Sequence, residues 1–218
     1  MTNTDKLNAG IIPVTPLQQN CALLWDGQSK EGVIVDPGGE TENIAGAVKE
    51  VGMKPTAILL THGHIDHAGG ANELSQKLSL PIHGPHRDDK FLLDELEQQG
   101  PQYGFAAQNC VPDKWFDEGD TFQIGRFEFE TLHCPGHSPG SLVYVNHANK
   151  FIIMGDVLFR GSIGRTDFPY GNHSALIDAI MTKLLPLGDA YAFICGHGPG
   201  SSLALERQTN PFLQVDAP

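Results

Sequence analysis

The sequence is short of several features that would otherwise decide its class. Positive charge is scarce: 14 Lys and Arg stand against 26 Asp and Glu in 218 residues, a formal charge of −12. A surface that acidic repels phosphate backbones, and no basic run offsets it, so no nucleic-acid partner is expected. No window approaches the roughly 18 consecutive apolar residues of a membrane span. Met1–Gly10 has no basic segment followed by an apolar one, so the expectation is a cytoplasmic protein with no membrane partner. Cysteine is limited to Cys21, Cys110, Cys134 and Cys195, none in a Cys-x-x-Cys pair. Reduced, mostly buried thiols are expected rather than a disulfide framework. Low-complexity stretches and solenoid-type repeats are absent as well.

Turn formers, by contrast, are plentiful. Gly and Pro number 25 and 15, which favours sheets over a helical bundle. Short apolar or β-branched runs read as strands at Ile11–Val14, Cys21–Trp25 and Gly32–Val35, and again at Ala57–Leu60 and Pro81–His83. Further strands are expected at Thr121–Ile124, Phe127–Leu132, Ser141–Val145, Phe151–Met154 and Ala192–Cys195. Helices are expected at Thr41–Val51, with Thr41 as N-cap, and at Ala68–Leu78, Lys90–Gln98, His173–Leu185 and Ser201–Gln208. Residues 99–119, with scattered Gly, Pro and polar residues, read as a loop over one face. Two sheets packed face to face with helices outside would bury this order: an α/β four-layer αββα sandwich, with residues 1–218 as a single domain.

The chemistry concentrates in His62-Gly-His64-Ile-Asp66-His67, four potential ligands in six residues directly after a buried strand. In an extended stretch His62 and His64 point the same way and can share one ion. Asp66 and His67 turn elsewhere and suit a second. Imidazole plus carboxylate suits zinc, iron or manganese, whereas closed structural zinc sites favour cysteine. Six residues cannot complete two coordination spheres. The missing ligands are sought at other strand ends, where a Gly-flanked His or Asp recurs three times. They are His137 after 127–132, Asp156 after 151–154 and His197 after 192–195. The economical assignment puts His62, His64 and His137 on one metal and Asp66, His67 and His197 on the other. Asp156 is shared, since one carboxylate can bind two cations. His133 is placed outside this set as a strand-end partner. His83, His86, His147 and His173 read as turn, loop or helix-start residues.

The motif His-x-His-x-Asp-His with later His, Asp and His resembles the metallo-β-lactamase superfamily. Within it the chain resembles the hydroxyacylglutathione hydrolases, or type II glyoxalases. The narrowing segments are Pro135-Gly-His-Ser-Pro-Gly140, Gly155-Asp-Val-Leu-Phe159, Gly164-Arg-Thr-Asp167, Gly196-His-Gly-Pro199 and Glu206-Arg-Gln-Thr-Asn-Pro-Phe212. The resemblance implies two divalent metals, zinc first. It implies attack of a metal-bound hydroxide on the carbonyl of a small-molecule thioester such as S-lactoylglutathione, giving a hydroxy acid and a free thiol. Asp66 is then a ligand that also guides protons. Arg165 is either half of a loop ion pair with Asp167 or a substrate contact. The glutathione-using look-alikes carry a basic residue in this loop and usually an aromatic where Asp167 stands. They also carry a C-terminal helical domain that grips glutathione. Only 21 residues follow His197 here (218 − 197), so that domain is not expected. No Gly-x-Ser-x-Gly elbow offers another nucleophile.

Three rival readings are weighed. A mono-iron persulfide dioxygenase of the same fold would use His62, His137 and Asp156 and shares the Gly-Arg-Thr-Asp segment, but Gly196-His-Gly-Pro199 resembles the hydrolase form. A nuclease of this fold conflicts with the −12 charge. A non-catalytic binding module would not require seven ligands.

Overall fold

A computed structural model describes residues 6–214. In chain order the strands are β1 (Leu7–Val14), β2 (Gln19–Asp26), β3 (Glu31–Val35), β4 (Lys54–Leu59), β5 (Ile82–His83), β6 (Thr121–Ile124) and β7 (Phe127–His133). They continue with β8 (Leu142–Asn146), β9 (Phe151–Ile153), β10 (Leu158–Phe159), β11 (Ser162–Ile163), β12 (Ala192–Ile194) and β13 (Ser201–Ser202). The helices are α1 (Thr41–Val51), α2 (Ile65–Ala68), α3 (Ala71–Leu78), α4 (Lys90–Leu93), α5 (Leu96–Tyr103), α6 (His173–Ala179) and α7 (Leu203–Thr209).

Alternation along the strands explains the layering. In β2, Leu23 and Trp25 face one way, into a cluster with Ile44 and Val48 of α1 and Leu74 of α3. Ala22 and Leu24 face the other way and meet Phe129, Leu142 and Tyr144 of the second sheet. In β8, Val143 and Val145 turn outward to Leu176 and Ala179 of α6 and Leu203 of α7. Both faces of each central strand are therefore buried, and the strands read as near-continuous apolar runs. One sheet has the order β1-β2-β3-β4-β5 and the other β13-β12-β9-β8-β7-β6. The result is the expected αββα sandwich, with β10 and β11 forming a separate small hairpin. Among the described residues no helix is long and apolar enough to cross a membrane. All four cysteines are buried and free.

Several expected boundaries shift. Thr41 is not the cap of α1: Glu40 holds that position in a left-handed conformation, and the Thr41 hydroxyl donates to Glu73 at 2.5 Å. The helix expected over 68–78 is broken, because the Gly70 amide leaves the helical ladder to donate to Pro37 at 3.0 Å. The stretch 90–98 is likewise two pieces. The second runs through Gly100-Pro101 to Tyr103, so the start of the expected 99–119 loop is helical. The fully buried Leu96 anchors that turn against the core, and packing overrides the breaker signal. The last turns of the 173–185 helix widen and then tighten after Ala179.

Candidate metal centre

Strand ends from both sheets converge on one edge of the sandwich. β4 delivers Thr61 to His64, and the single turn of α2 then presents Asp66 and His67. The turn after β7 carries His137, the one after β9 carries Asp156, and the one after β12 carries His197. Presentation at the carboxyl ends of strands fixes side chains on rigid supports.

The seven side chains form two groups. His62 Nε2 lies 3.0 Å from His64 Nδ1, and His64 Nδ1 lies 2.9 Å from His137 Nε2. In the second group Asp66 Oδ2 is 3.2 Å from His197 Nε2 and 3.8 Å from His67 Nε2. Asp156 stands between them: Oδ1 is 3.4 Å from His67 Nε2, and Oδ2 is 3.5 Å from both His137 Nε2 and His197 Nε2.

The protons on three of the imidazoles are placed by their outer nitrogens. His67 Nδ1 donates to Asp36 at 2.9 Å, and His137 Nδ1 donates to the Arg165 carbonyl at 2.9 Å. Thr61 gives its own hydroxyl hydrogen to Asp36 at 2.6 Å, so it accepts from His62 Nδ1 at 3.1 Å. His64 Nε2 lies 2.8 Å from the Tyr170 hydroxyl, to which it would donate once Nδ1 ligates a cation. In the neutral rings the inward nitrogens of His62, His67 and His137 are then lone pairs, as ligation requires.

These residues fit a pair of divalent cations. His67 Nε2 and Asp156 Oδ1 are buried and face each other without a hydrogen bond to any described residue. Leaving such atoms unmatched costs about 1–3 kcal/mol each, and a cation between them removes that cost. Position 196 has to be glycine: a Cβ there would lie 2.0 Å from Asp156 Oδ1. His62, His64 and His137 could hold one ion and Asp66, His67 and His197 the other, with Asp156 reaching both.

Electrostatics differs between the groups. Burial, then the neighbouring imidazoles, hold His62 well below its ordinary value. Burial and His137 take His64 down to about 3, and burial lowers His137 as well. These rings are neutral and ready to ligate. Burial opposes protonation of His67 and His197 too, but there the carboxylates prevail. Asp156 and Asp66 push His67 up, and Asp66 and Asp156 push His197 up. Burial would raise Asp156, yet His67 and His137 hold it well below the usual carboxylate range.

A cleft of about 460 Å³ opens over both groups, walled by Leu17, Ile65, Tyr103, Phe159, Phe168 and Tyr170. Arg165 also lines it, and the expected ion pair with Asp167 is formed. Its guanidinium makes a bidentate pair with Asp167, 2.7 Å at each oxygen, and lies 4.4 Å from the Phe168 ring centre. His133 is outside the seven: it bonds the Pro139 carbonyl at 2.7 Å and stacks on His86 at 4.1 Å. Donor atoms of His86, Asp88 and His133 do lie within 4.8 Å of one another, but the rings are nearly parallel, at 17°, and their lone pairs do not converge. His83 is in β5, His147 bonds Tyr191 and Glu130, and His173 is exposed at the start of α6.

Sequence reasoning missed Asp36, Asp89, Phe168 and Tyr170. Asp36 had a usable signal, since it ends β3 in a Gly-rich turn as the ligands end their strands. Asp89 had none, because Arg87-Asp-Asp-Lys90 reads as an exposed charged helix start.

The model of the metallo-beta-lactamase superfamily matches residues 14–197. The chain is 45% identical to a hydroxyacylglutathione hydrolase, GloC, of Haemophilus influenzae, over 95% of this chain and 98% of that one. It also matches the crystal structure of the BLEG-1 B3 metallo-beta-lactamase (36% identity, TM-score 0.87, 95% of this chain and 100% of that one). A second similar structure, TTHA1623 in a di-iron-bound form, shows 36% identity and a TM-score of 0.83, over 94% of this chain and 100% of that one. With a family match that spans all seven clustered side chains, the chain belongs to the metallo-β-lactamase superfamily and is a metallohydrolase.

Proposed function

We propose that this enzyme is a metal-dependent thioester hydrolase of the type II glyoxalase kind. It converts S-lactoylglutathione or a related small-molecule thioester into a hydroxy acid and a free thiol. The carrying observation is the complete pair of ligand groups around Asp156, open to one cleft. The 45% identity to a hydroxyacylglutathione hydrolase supports a thioester as the bond that is cut. Two bound divalent cations, zinc first and iron or manganese as alternatives, would lower the pKa of water and polarise a carbonyl.

The chain's own residues do the rest. His62, His64 and His137 present neutral lone pairs. Asp66 lines the cleft beside His197 and accepts and relays the proton released by water. Cys195, two residues before His197, is not a rival nucleophile, since burial and Asp156 push its thiol up to about 11. The acidic surface and the absence of a basic patch support a small-molecule partner over nucleic acid.

The test combines elemental analysis with hydrolysis of S-lactoylglutathione, following oxygen uptake in parallel. Two metals per chain, hydrolysis and no oxygen consumption are expected. One iron per chain with thiol-dependent oxygen uptake would replace this reading with a persulfide dioxygenase.

A further inference from the structure

Tyr170 brings a hydroxyl to the edge of the metal centre. Its oxygen lies 2.8 Å from His64 Nε2. The other side of the ring fixes the direction of that bond. His64 Nδ1 faces His62 and His137 at 3.0 and 2.9 Å, so with a cation held among the three nitrogens it would carry the lone pair. Nε2 would then carry the hydrogen, and the phenol oxygen would accept it. The hydrogen of the phenol is left over, and among the described residues Tyr170 makes no other hydrogen bond. The ring is held in place by stacking on Phe168 (5.4 Å, 12°) and by the edge of Phe91 (5.2 Å, 71°). Tyr170 also lines the cleft, so with a cation bound a fixed and unused donor would face it.

Charge accounting says what that donor serves. Thioester hydrolysis builds negative charge on the carbonyl oxygen and then on the departing sulfur. Cations held by the two groups of side chains would meet the first. The second develops inside an acidic protein whose cleft cation, Arg165, is already paired with Asp167. We propose that Tyr170 is a catalytic residue that donates its hydrogen bond to the leaving sulfur. This inference rests on the thioesterase reading. The oxygen of water bonds to the carbonyl carbon, the C–S bond breaks, and its electron pair leaves on sulfur. Water's proton passes to Asp66 and on to solvent, the thiolate takes a proton from solvent, and the phenol keeps its own. The sum is thioester plus water giving carboxylic acid plus thiol.

The experiment is Tyr170→Phe, which keeps the stacked ring and removes the donor. Wild type and variant, both loaded with metal, are compared on thioesters of one acyl group with thiols of graded acidity, from alkyl thiols to thiophenols. Metal content is measured on the same samples. A hydrogen bond to a charged group predicts a kcat loss of about 10–100-fold for alkyl thiols. The loss shrinks toward none for thiophenols, whose sulfur needs no help, while metal content stays unchanged. A loss equal across the series, or one that follows metal content, would mean that Tyr170 only orients His64 and would overturn the proposal. No loss at all would overturn it too, and in either case an active wild type leaves the thioesterase reading standing. A wild type inert toward every thioester overturns both.

Discussion

The Asp89 carboxylate accepts the amide N–H of Gly63 at 2.8 Å, and Gly63 is the residue between His62 and His64. The same carboxylate takes the Gly140 amide at 2.6 Å and the Ser138 hydroxyl at 2.7 Å, just past His137. One fully buried side chain thus ties together the two loops that supply the three-histidine group. Gly63 has no side chain because the space is filled: a Cβ there would lie 2.9 Å from Leu92 Cβ and 3.0 Å from the Asp89 carbonyl. Burial pushes Asp89 up to about 6 against its three hydrogen bonds, so it is ionised at neutral pH.

Asp89→Asn therefore sets an amide N–H₂ against groups that are themselves donors. The expected result is a weaker first cation, by roughly 10–100-fold in affinity, with the Asp66, His67 and His197 group unaffected. At limiting metal the stoichiometry falls from two per chain toward one. Unchanged affinity at both positions would show that the loops hold their register without Asp89.

Asp156→Ala should behave differently. Its carboxylate is 3.4 Å from His67 and 3.5 Å from both His137 and His197, so its loss removes a ligand from each group. Both metals and nearly all activity should go together. Full occupancy of either position in elemental analysis of the dialysed variant would contradict a shared role.

Acid should strip the two positions in order. A raised histidine pKa means that the proton competes with the cation at higher pH, and a lowered one means that it competes only at lower pH. His67 and His197 are raised by Asp156 and Asp66, while His62, His64 and His137 are lowered. As pH falls from neutrality, the ion at Asp66, His67 and His197 should leave first. The three-histidine ion should persist to more acidic pH. Metal per chain after dialysis at stepped pH values checks this; simultaneous loss, or the reverse order, would refute it.

Strands buried on both faces, such as Cys21–Trp25 and Gly32–Val35, leave apolar runs that a sequence displays openly. Four of the seven gathered residues stand in one dense motif, His62 to His67, and the other three, His137, Asp156 and His197, at Gly-flanked strand ends. Asp89 and Tyr170 act across long sequence separations, 26 residues to Gly63 and 106 to His64, and nothing local marks them. The 90–103 region was misjudged because Gly100-Pro101 is a strong local stop, whereas the burial of Leu96 is a tertiary fact. Glu206 and Asn210 lay in a segment singled out by resemblance, but their task was not readable.

That task is to hold the β10–β11 hairpin. Buried Glu206 accepts from the Gly161 amide at 2.8 Å and from Asn210 Nδ2 at 2.9 Å, and it bonds the Ser201 hydroxyl. Asn210 in turn donates to the Ser162 carbonyl at 2.9 Å. The hairpin carries Phe159, Ser162 and Ile163 into the cleft. Glu206→Ala leaves several donors unmatched, a cost of about 2–4 kcal/mol, and should lower Tm by about 5–15 °C. KM should rise while two metals remain bound. A variant with unaltered Tm would show that the hairpin is held by packing alone.

The last prediction concerns the thiol carrier. Glutathione brings two carboxylates, and the cleft answers them with one cation, Arg165, two of whose five N–H donors already face Asp167 at 2.7 Å each. The remaining wall is largely apolar and aromatic, and the net charge of −12 disfavours an anionic carrier at long range. Binding energy from the remote part of a substrate is what raises discrimination, and little of it is on offer. The ratio of kcat/KM for S-lactoylglutathione to that for the same acyl group on a truncated thiol should stay below about a hundredfold, on the order of 2.7 kcal/mol. Asp167→Asn releases Arg165 and should favour the glutathione ester over a neutral one by about two- to fivefold, an effect that fades with added salt. The pair is exposed, so the gain is small by nature. A wild-type preference above a hundredfold would mean that a dedicated glutathione pocket exists. A variant that gains equally on neutral esters would mean that Asp167 shapes the loop and does not restrain Arg165.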